Sequence, residues 1–245
     1  MIQSTSNERI KQLAKIKKKK YRMQTRQFIA EGEHLVEEAA KQGIVLEVFY
    51  TDKTKIPQNY HGVCTEVSSP VLEKLAFSKT PQKIIALCSF VEKTFDFGQM
   101  QRLFLLDGLQ DPGNIGTIIR TALAMDFDGV LLSEDSVDLY HDKLLRACQG
   151  ANFHLPIMQV DLEKAIAQLQ QHQFKVYATA LHEAKSIKSY ISEPKMAFVL
   201  GNEGNGVKAS TIRKCDGAMY IPIQKAESLN VAIAAGMIAY QFTLI

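Results

Sequence analysis

Apolar residues recur along this chain in short bursts, and their spacing switches between the period of a strand and that of a helix. Asn7 can cap a helix over about 8–20, with Ile10, Leu13, Ala14 and Ile16 as sparse apolar positions. QFIAEG reads as a short strand and turn, and EHLVEEAAKQG as a helix stopped at Gly43, a residue that tolerates the left-handed conformation of a C-cap. VLEVFYT and CTEVSS follow as strands, SPVLEKLAFS as a helix with Pro70 near its first turn, and KIIALCSF as a buried strand. VEKTFDFGQMQ has no sustained period and predicts a linker over 92–101.

The alternation then restarts. LFLLDG, GVLLS, HLPIMQV, KVYATAL, MAFVLG and AMYIPI read as strands. Between and after them, helices are expected near 114–125, 141–149, 161–171, 208–214 and from 229. Strands alternating with helices predict an α/β fold with a mostly parallel sheet covered on both faces. The organisation expected is a small α/β unit over 1–91 and a larger domain over 102–245. Ligands of such sheets bind beyond the carboxyl ends of the strands.

Composition narrows the class. The 245 residues are 46% hydrophobic and 22% charged, as in a globular protein. No apolar run reaches the roughly 18 residues of a membrane span, so no membrane partner is expected. The start lacks the apolar core of a secretory signal. Cys64, Cys88, Cys148 and Cys215 are scattered, which fits a cytoplasmic protein without a metal site or a disulfide framework. The net charge of +3 conceals an asymmetry: residues 1–30 hold nine basic residues against Glu8 alone. These are Arg9, Lys11, Lys15, Lys17, Lys18, Lys19, Lys20, Arg22 and Arg26, and they point to a polyanion such as RNA. The rest of the chain is mildly acidic.

Three loops at strand ends carry the candidate chemistry. In DGLQDPGNIGTIIR, Pro112 and Gly113 suit a turn and Asn114 an N-cap. Ile115, Ile118, Ile119, Ala122 and Leu123 then form one apolar stripe, with Arg120 off it. Taken alone this is a capped helix with a solvated arginine, or a crevice offering Asn114 and Arg120 to a polar substrate. In FVLGNEGNGV, Gly201, Gly204 and Gly206 allow a sharp turn around Glu203, but the spacing is neither GxGxxG nor a phosphate loop. In IPIQKAESLNVAIAAGMIAY, Ser228 or Asn230 can cap a helix that is apolar almost all round. Such a helix is buried in a core or an interface, and Gly236 with its neighbouring alanines favours a subunit interface.

Together these loops resemble the SpoU (TrmH-type) RNA ribose methyltransferases of the SPOUT superfamily. The resemblance rests on Asp111-Pro112-Gly113-Asn114 with Gly116 and Arg120, on Gly201 to Gly204, and on Ile221 to Ile223 with Ser228 to Asn230. It spans 102–245, while 1–91 looks more loosely like the family's ribosomal-protein-like RNA-binding domain. One departure is QKAE before Ser228, where many relatives carry a glycine.

The resemblance implies an α/β trefoil knot, a homodimer, and methyl transfer from S-adenosylmethionine to a ribose 2′-hydroxyl of structured rRNA or tRNA. It implies catalytic roles for Asn114, Arg120, Glu203, Ser228 and Asn230. It places the cofactor against Thr179, Ala180, Leu200, Gly201, Asn202, Gly204, Ile221, Ile223, Ser228, Leu229 and Asn230, with no metal. Arg120 has two possible roles. As general base it must lose a proton at roughly 7 kcal/mol near neutral pH; as a clamp it grips the adjacent phosphate and orients the ribose. A non-catalytic RNA-binding or assembly factor on the same fold is the alternative. A nicotinamide-dependent dehydrogenase is disfavoured, since no GxGxxG follows the first strand of either unit.

Overall fold

The computed structural model describes residues 1–243, which form two compact units. Met1–Glu92 and Asp138–His154 make the first, and Lys93–Val137 with the chain from Leu155 onward the second.

In the first unit, α1 (Glu8–Lys15) starts at Asn7, whose side chain accepts from the amides of Arg9 and Ile10. The single helix expected over 8–20 is in fact two. The chain breaks after Ile16 and resumes as α2 (Lys19–Thr25). The cause is Arg22, whose Nη1 takes the carbonyls of Ile16 at 3.1 Å and Lys17 at 2.7 Å. Strand β1 (Gln27–Glu31), helix α3 (Glu33–Lys41), strands β2 (Val45–Tyr50) and β3 (Cys64–Glu66), helix α4 (Ser69–Leu75) and strand β4 (Ile84–Ser89) follow. Gly43 takes a φ of +67° just past α3, as a C-cap position requires. The sheet order is β1-β4-β2-β3, antiparallel except for the β2–β3 pair.

The second unit opens with residues expected to be a linker. Phe95 and Phe97 are instead partly buried against its core, because two aromatic rings gain more by packing than by solvation. Strand β5 (Arg102–Asp107) is buried throughout, and α5 (Pro112–Ala124) and β6 (Gly129–Ser133) follow.

Helices α6 (Asp142–Cys148) and α7 (Ala151–His154), expected in the larger domain, belong to the first unit. Tyr140 and Phe153 pack on Phe28 at ring distances of 4.8 and 5.7 Å, which draws this segment into that core. The second unit resumes with β7 (Ile157–Val160), α8 (Leu162–Gln171), β8 (Lys175–Thr179), β9 (Lys185–Ser186) and β10 (Met196–Gly201). A short α9 (Ala209–Ile212), β11 (Gly217–Tyr220) and α10 (Val231–Phe242) complete it.

The sheet order is β7-β6-β5-β10-β8-β11-β9, with every pairing parallel. An all-parallel sheet puts the carboxyl ends of its strands on one edge, and the loops after β5, β10 and β11 all leave from there. Arg102 is buried, and its guanidinium donates to the carbonyls of Phe242, Pro194, Gln101 and Glu193 and to Ser192. A buried cation is tolerable when its donors are spent in this way. Among the described residues, no helix is long and apolar enough to cross a membrane, and no group of side chains is arranged to hold a metal ion. Among the described residues the four cysteines form no disulfide, and burial pushes the Cys215 thiol up to about 12.

Candidate active site

The loop after β5 differs from expectation at one residue. Asp111, not Asn114, caps α5: its Oδ2 accepts from the Asn114 amide at 2.8 Å. Pro112 occupies the first turn, where its fixed φ and missing N–H cost nothing, and that sets the helix start two residues earlier. The Asn114 side chain is thereby released. Its Nδ2 donates to Glu203 Oε1 at 2.7 Å, and its Oδ1 accepts from Asn230 Nδ2 at 2.9 Å. The Oδ1 of Asn230 caps α10, accepting from the amides of Ala232 and Ile233. Three loops separated by up to 116 residues are thus joined through one asparagine.

The loop after β10 is held as tightly. Asn202 accepts from the amides of Gly204 and Asn205, and its Nδ2 donates to the Gly108 carbonyl at 3.0 Å. A Cβ on Gly201 would stand 2.0 Å from the backbone of Gly206 and Val207, so the loop closes only with glycine there.

Sequence reasoning did not single out the latch beside it. Lys208 Nζ pairs with Asp107 at 3.1 Å and Asp135 at 2.8 Å, and its amide donates to Asp107. The hydrogen bond from Lys208 holds the Asp135 carboxyl below its ordinary range and in turn raises Lys208. The only cue was an acid ending a buried strand at Asp107.

A cavity of about 1010 Å³ opens at this edge of the sheet. Thr179, Ala180, Leu200, Gly201, Asn202, Gly204, Ile221, Ile223, Ser228 and Leu229 line it as expected, and so does Glu203. Asn230 is not among the lining residues; it works from the side, through Asn114. His182, Glu183, Arg213 and Glu227 also line the cavity and were not foreseen. Arg120 lies on the exposed face of α5 and makes no hydrogen bond or ion pair with the described residues, so it is free to meet a substrate.

The cavity matches a nucleoside-sized ligand: apolar walls from Leu200, Met219, Ile221 and Leu229, and backbone amides and carbonyls at the strand ends for polar edges. Residues 101–240 match the SpoU rRNA Methylase family. The chain belongs to that family. Residues 7–86 of this SpoU methylase match the MRM3-like substrate binding domain.

Among similar proteins is 23S rRNA (guanosine(2553)-2′-O)-methyltransferase RlmP of Bacillus subtilis (strain 168). It is 39% identical over 243 residues, covering 98% of this chain and 97% of that protein. The structure of an AdoMet-bound rRNA methyltransferase from Sinorhizobium meliloti superposes with a TM-score of 0.84 at 26% identity, covering 98% of this chain and 95% of the other. An RNA 2′-O ribose methyltransferase gives 0.83 at 30% identity, over 98% and 96%. The fold of the SpoU methylase is that of the SPOUT methyltransferases, and its cofactor is S-adenosylmethionine.

The cations foreseen as RNA contacts divide. Arg22 is not one of them. It is buried and paired with Asp138 at 2.5 Å, because its guanidinium reaches inward to close the break between α1 and α2. Lys17 donates to the Ala76 carbonyl and lies over the Phe77 ring, and Arg9 is paired with Glu47. Lys11 pairs with Glu8 and Arg26 with Glu92. Lys15 donates to Gln12 and lies over the Tyr21 ring, and Lys18, Lys19 and Lys20 are exposed with no ion pair to the described residues.

Proposed function

We propose that this SpoU methylase methylates the ribose 2′-hydroxyl of a guanosine in 23S rRNA, at the position equivalent to that named for the Bacillus subtilis relative. The observation that carries the reading is the Glu203–Asn114–Asn230 chain of hydrogen bonds beside the cavity. It fixes three family motifs in one geometry, and similarity extends over nearly the whole chain, substrate-binding part included.

When bound, S-adenosylmethionine would supply a methyl group on a positive sulfur: the ribose oxygen would take the methyl, sulfur would keep the C–S electron pair as a neutral thioether, and the hydroxyl proton would pass to water. The chain's own residues must present that oxygen in line, and alignment of this kind is worth several kcal/mol of barrier. Arg120 takes the role of clamp. Its guanidinium binds the phosphate beside the target ribose, where a planar, permanently charged fork suits two phosphate oxygens. Deprotonating an arginine near neutral pH would consume roughly 7 kcal/mol, which a clamp avoids. Ser228 stands at the cavity lining, ready to orient the hydroxyl. Lys15, Lys18, Lys19 and Lys20 hold the flanking RNA backbone.

The working form is a homodimer through α10. One face of that helix is buried in its own unit, while Ile233, Met237 and Tyr240 are exposed beside a groove of about 590 Å³ that includes Ile221 and Pro222. A second copy would cover this apolar face next to the cofactor loop, and the reaction would take place in the cytoplasm.

The test maps ribose methylation in 23S rRNA from a strain lacking the gene and from the complemented strain. Loss and return of one 2′-O-methylguanosine is expected. An unchanged 23S map with a lost tRNA methylation would overturn the target.

A further inference from the structure

We propose that Glu183 and Glu227 set the preference of this cavity for the cationic cofactor over its neutral product. S-adenosylmethionine and S-adenosylhomocysteine share adenosine, amine and carboxylate, and differ by a methyl group and by the positive charge on sulfur. Any carboxylate near that sulfur acts on one and not on the other.

Three carboxylates line the cavity: Glu183, Glu203 and Glu227. Glu203 is committed to Asn114. Glu183 and Glu227 make no hydrogen bond or ion pair with the described residues, and Arg213 is the one arginine or lysine in the lining. The two enter from the loops after β8 and β11, which are neighbouring parallel strands, so both carboxylates stand at the same end of the sheet. The first loop is pinned at its root, where the Ala180 amide donates to the Met219 carbonyl at 3.0 Å. Glu183 itself sits in the left-handed region at φ +51°, a conformation that costs energy for a residue with a side chain. That strain holds an uncommitted carboxylate at the rim of a ligand cavity. Glu227 lies in the QKAE stretch that leads into Ser228.

A cleft whose lining is net negative concentrates a cationic ligand and does little for a neutral one. The consequence for turnover is release: once the methyl has gone, the attraction that held the cofactor's sulfur goes with it.

The inference rests on the cofactor and not on the RNA target, and calorimetry without RNA tests it. Dissociation constants are measured for S-adenosylmethionine and S-adenosylhomocysteine with the wild-type chain, Glu183→Gln, Glu227→Gln and the double variant. Each glutamine keeps the shape and removes the charge. The double variant should lose roughly tenfold in affinity for the cofactor and under twofold for the product, and raised salt should shrink the wild-type difference in the same direction. Equal weakening of both ligands, or an unchanged ratio, overturns the proposal. A wild-type chain that binds neither ligand would sink the cofactor itself, which is a different failure.

Discussion

Arg22 and Arg120 are both arginines in helices of this chain, and they have opposite fates. Arg22, in the first unit, is buried against Asp138 and two backbone carbonyls. Arg120, in the second, stands exposed six residues beyond Asn114, with no ion pair among the described residues. The difference teaches that a cation's neighbours in the sequence do not say whether it serves the fold or the substrate. Arg22 sits in the most basic stretch of the chain, yet its partner lies 116 residues away. Arg120 sits among isoleucines and alanines, yet nothing in the fold uses its charge.

The contrast can be broken at several points. Arg22→Met leaves Asp138 buried without its cation, and should cost about 3–5 kcal/mol of stability in urea unfolding. Restoration by Asp138→Leu in the same chain would show that the loss is electrostatic. Arg120→Ala should leave the unfolding midpoint alone but lower methyl transfer by about 10²–10³, with cofactor affinity unchanged by calorimetry. If Arg120 is a clamp, Arg120→Lys recovers part of the rate without a new ionisation in the pH profile.

Replacing Lys18, Lys19 and Lys20 together by alanine should flatten the log–log salt dependence of RNA binding by about 2 units, at roughly 0.7–0.9 per phosphate contact. The same three changes should leave cofactor binding intact. Asp111→Ala removes the cap of α5 for about 1 kcal/mol, and should lower activity only through the placement of Asn114.

The smallest effect is a pH response at the Lys208 latch. The depressed Asp135 pKa means its contribution is present above the ordinary carboxylate range and fades as pH falls through the depressed value. Amide-exchange protection over 204–208, taken relative to the intrinsic rate at each pH, should fall in acid, and Lys208→Met should remove the dependence.

Much of this arrangement was legible in the sequence. The strands announced themselves because β5, β6 and β10 are continuous apolar runs, and a strand buried on both faces must be so. The residues that line the cavity were legible too, because they stand in motif loops whose members lie close together in the chain.

What escaped notice depends on distant partners. The helix over 8–20 breaks because of where one guanidinium reaches, and residues 138–154 join the first unit because Phe28 needs Tyr140 and Phe153. Asparagine at 114 has the chemistry of a cap, but Pro112 marks an earlier helix start and Asp111 takes that place. The apolar run of α10 left core and interface open as readings, and only the fold shows which face stays exposed in a single chain.

The chain of amides at the site has a direction. The N-terminal amides of α10 present only hydrogens, so the oxygen of Asn230 must face them and its nitrogen must face Asn114. The oxygen of Asn114 is then taken, and its nitrogen must point to Glu203. The polarity of the whole relay is dictated by the helix and ends on a carboxylate that can only accept. Aspartate at position 230 would keep the helix start and reverse nothing there, yet it would have no hydrogen to offer Asn114. Helix and relay can therefore be separated by a single nitrogen atom.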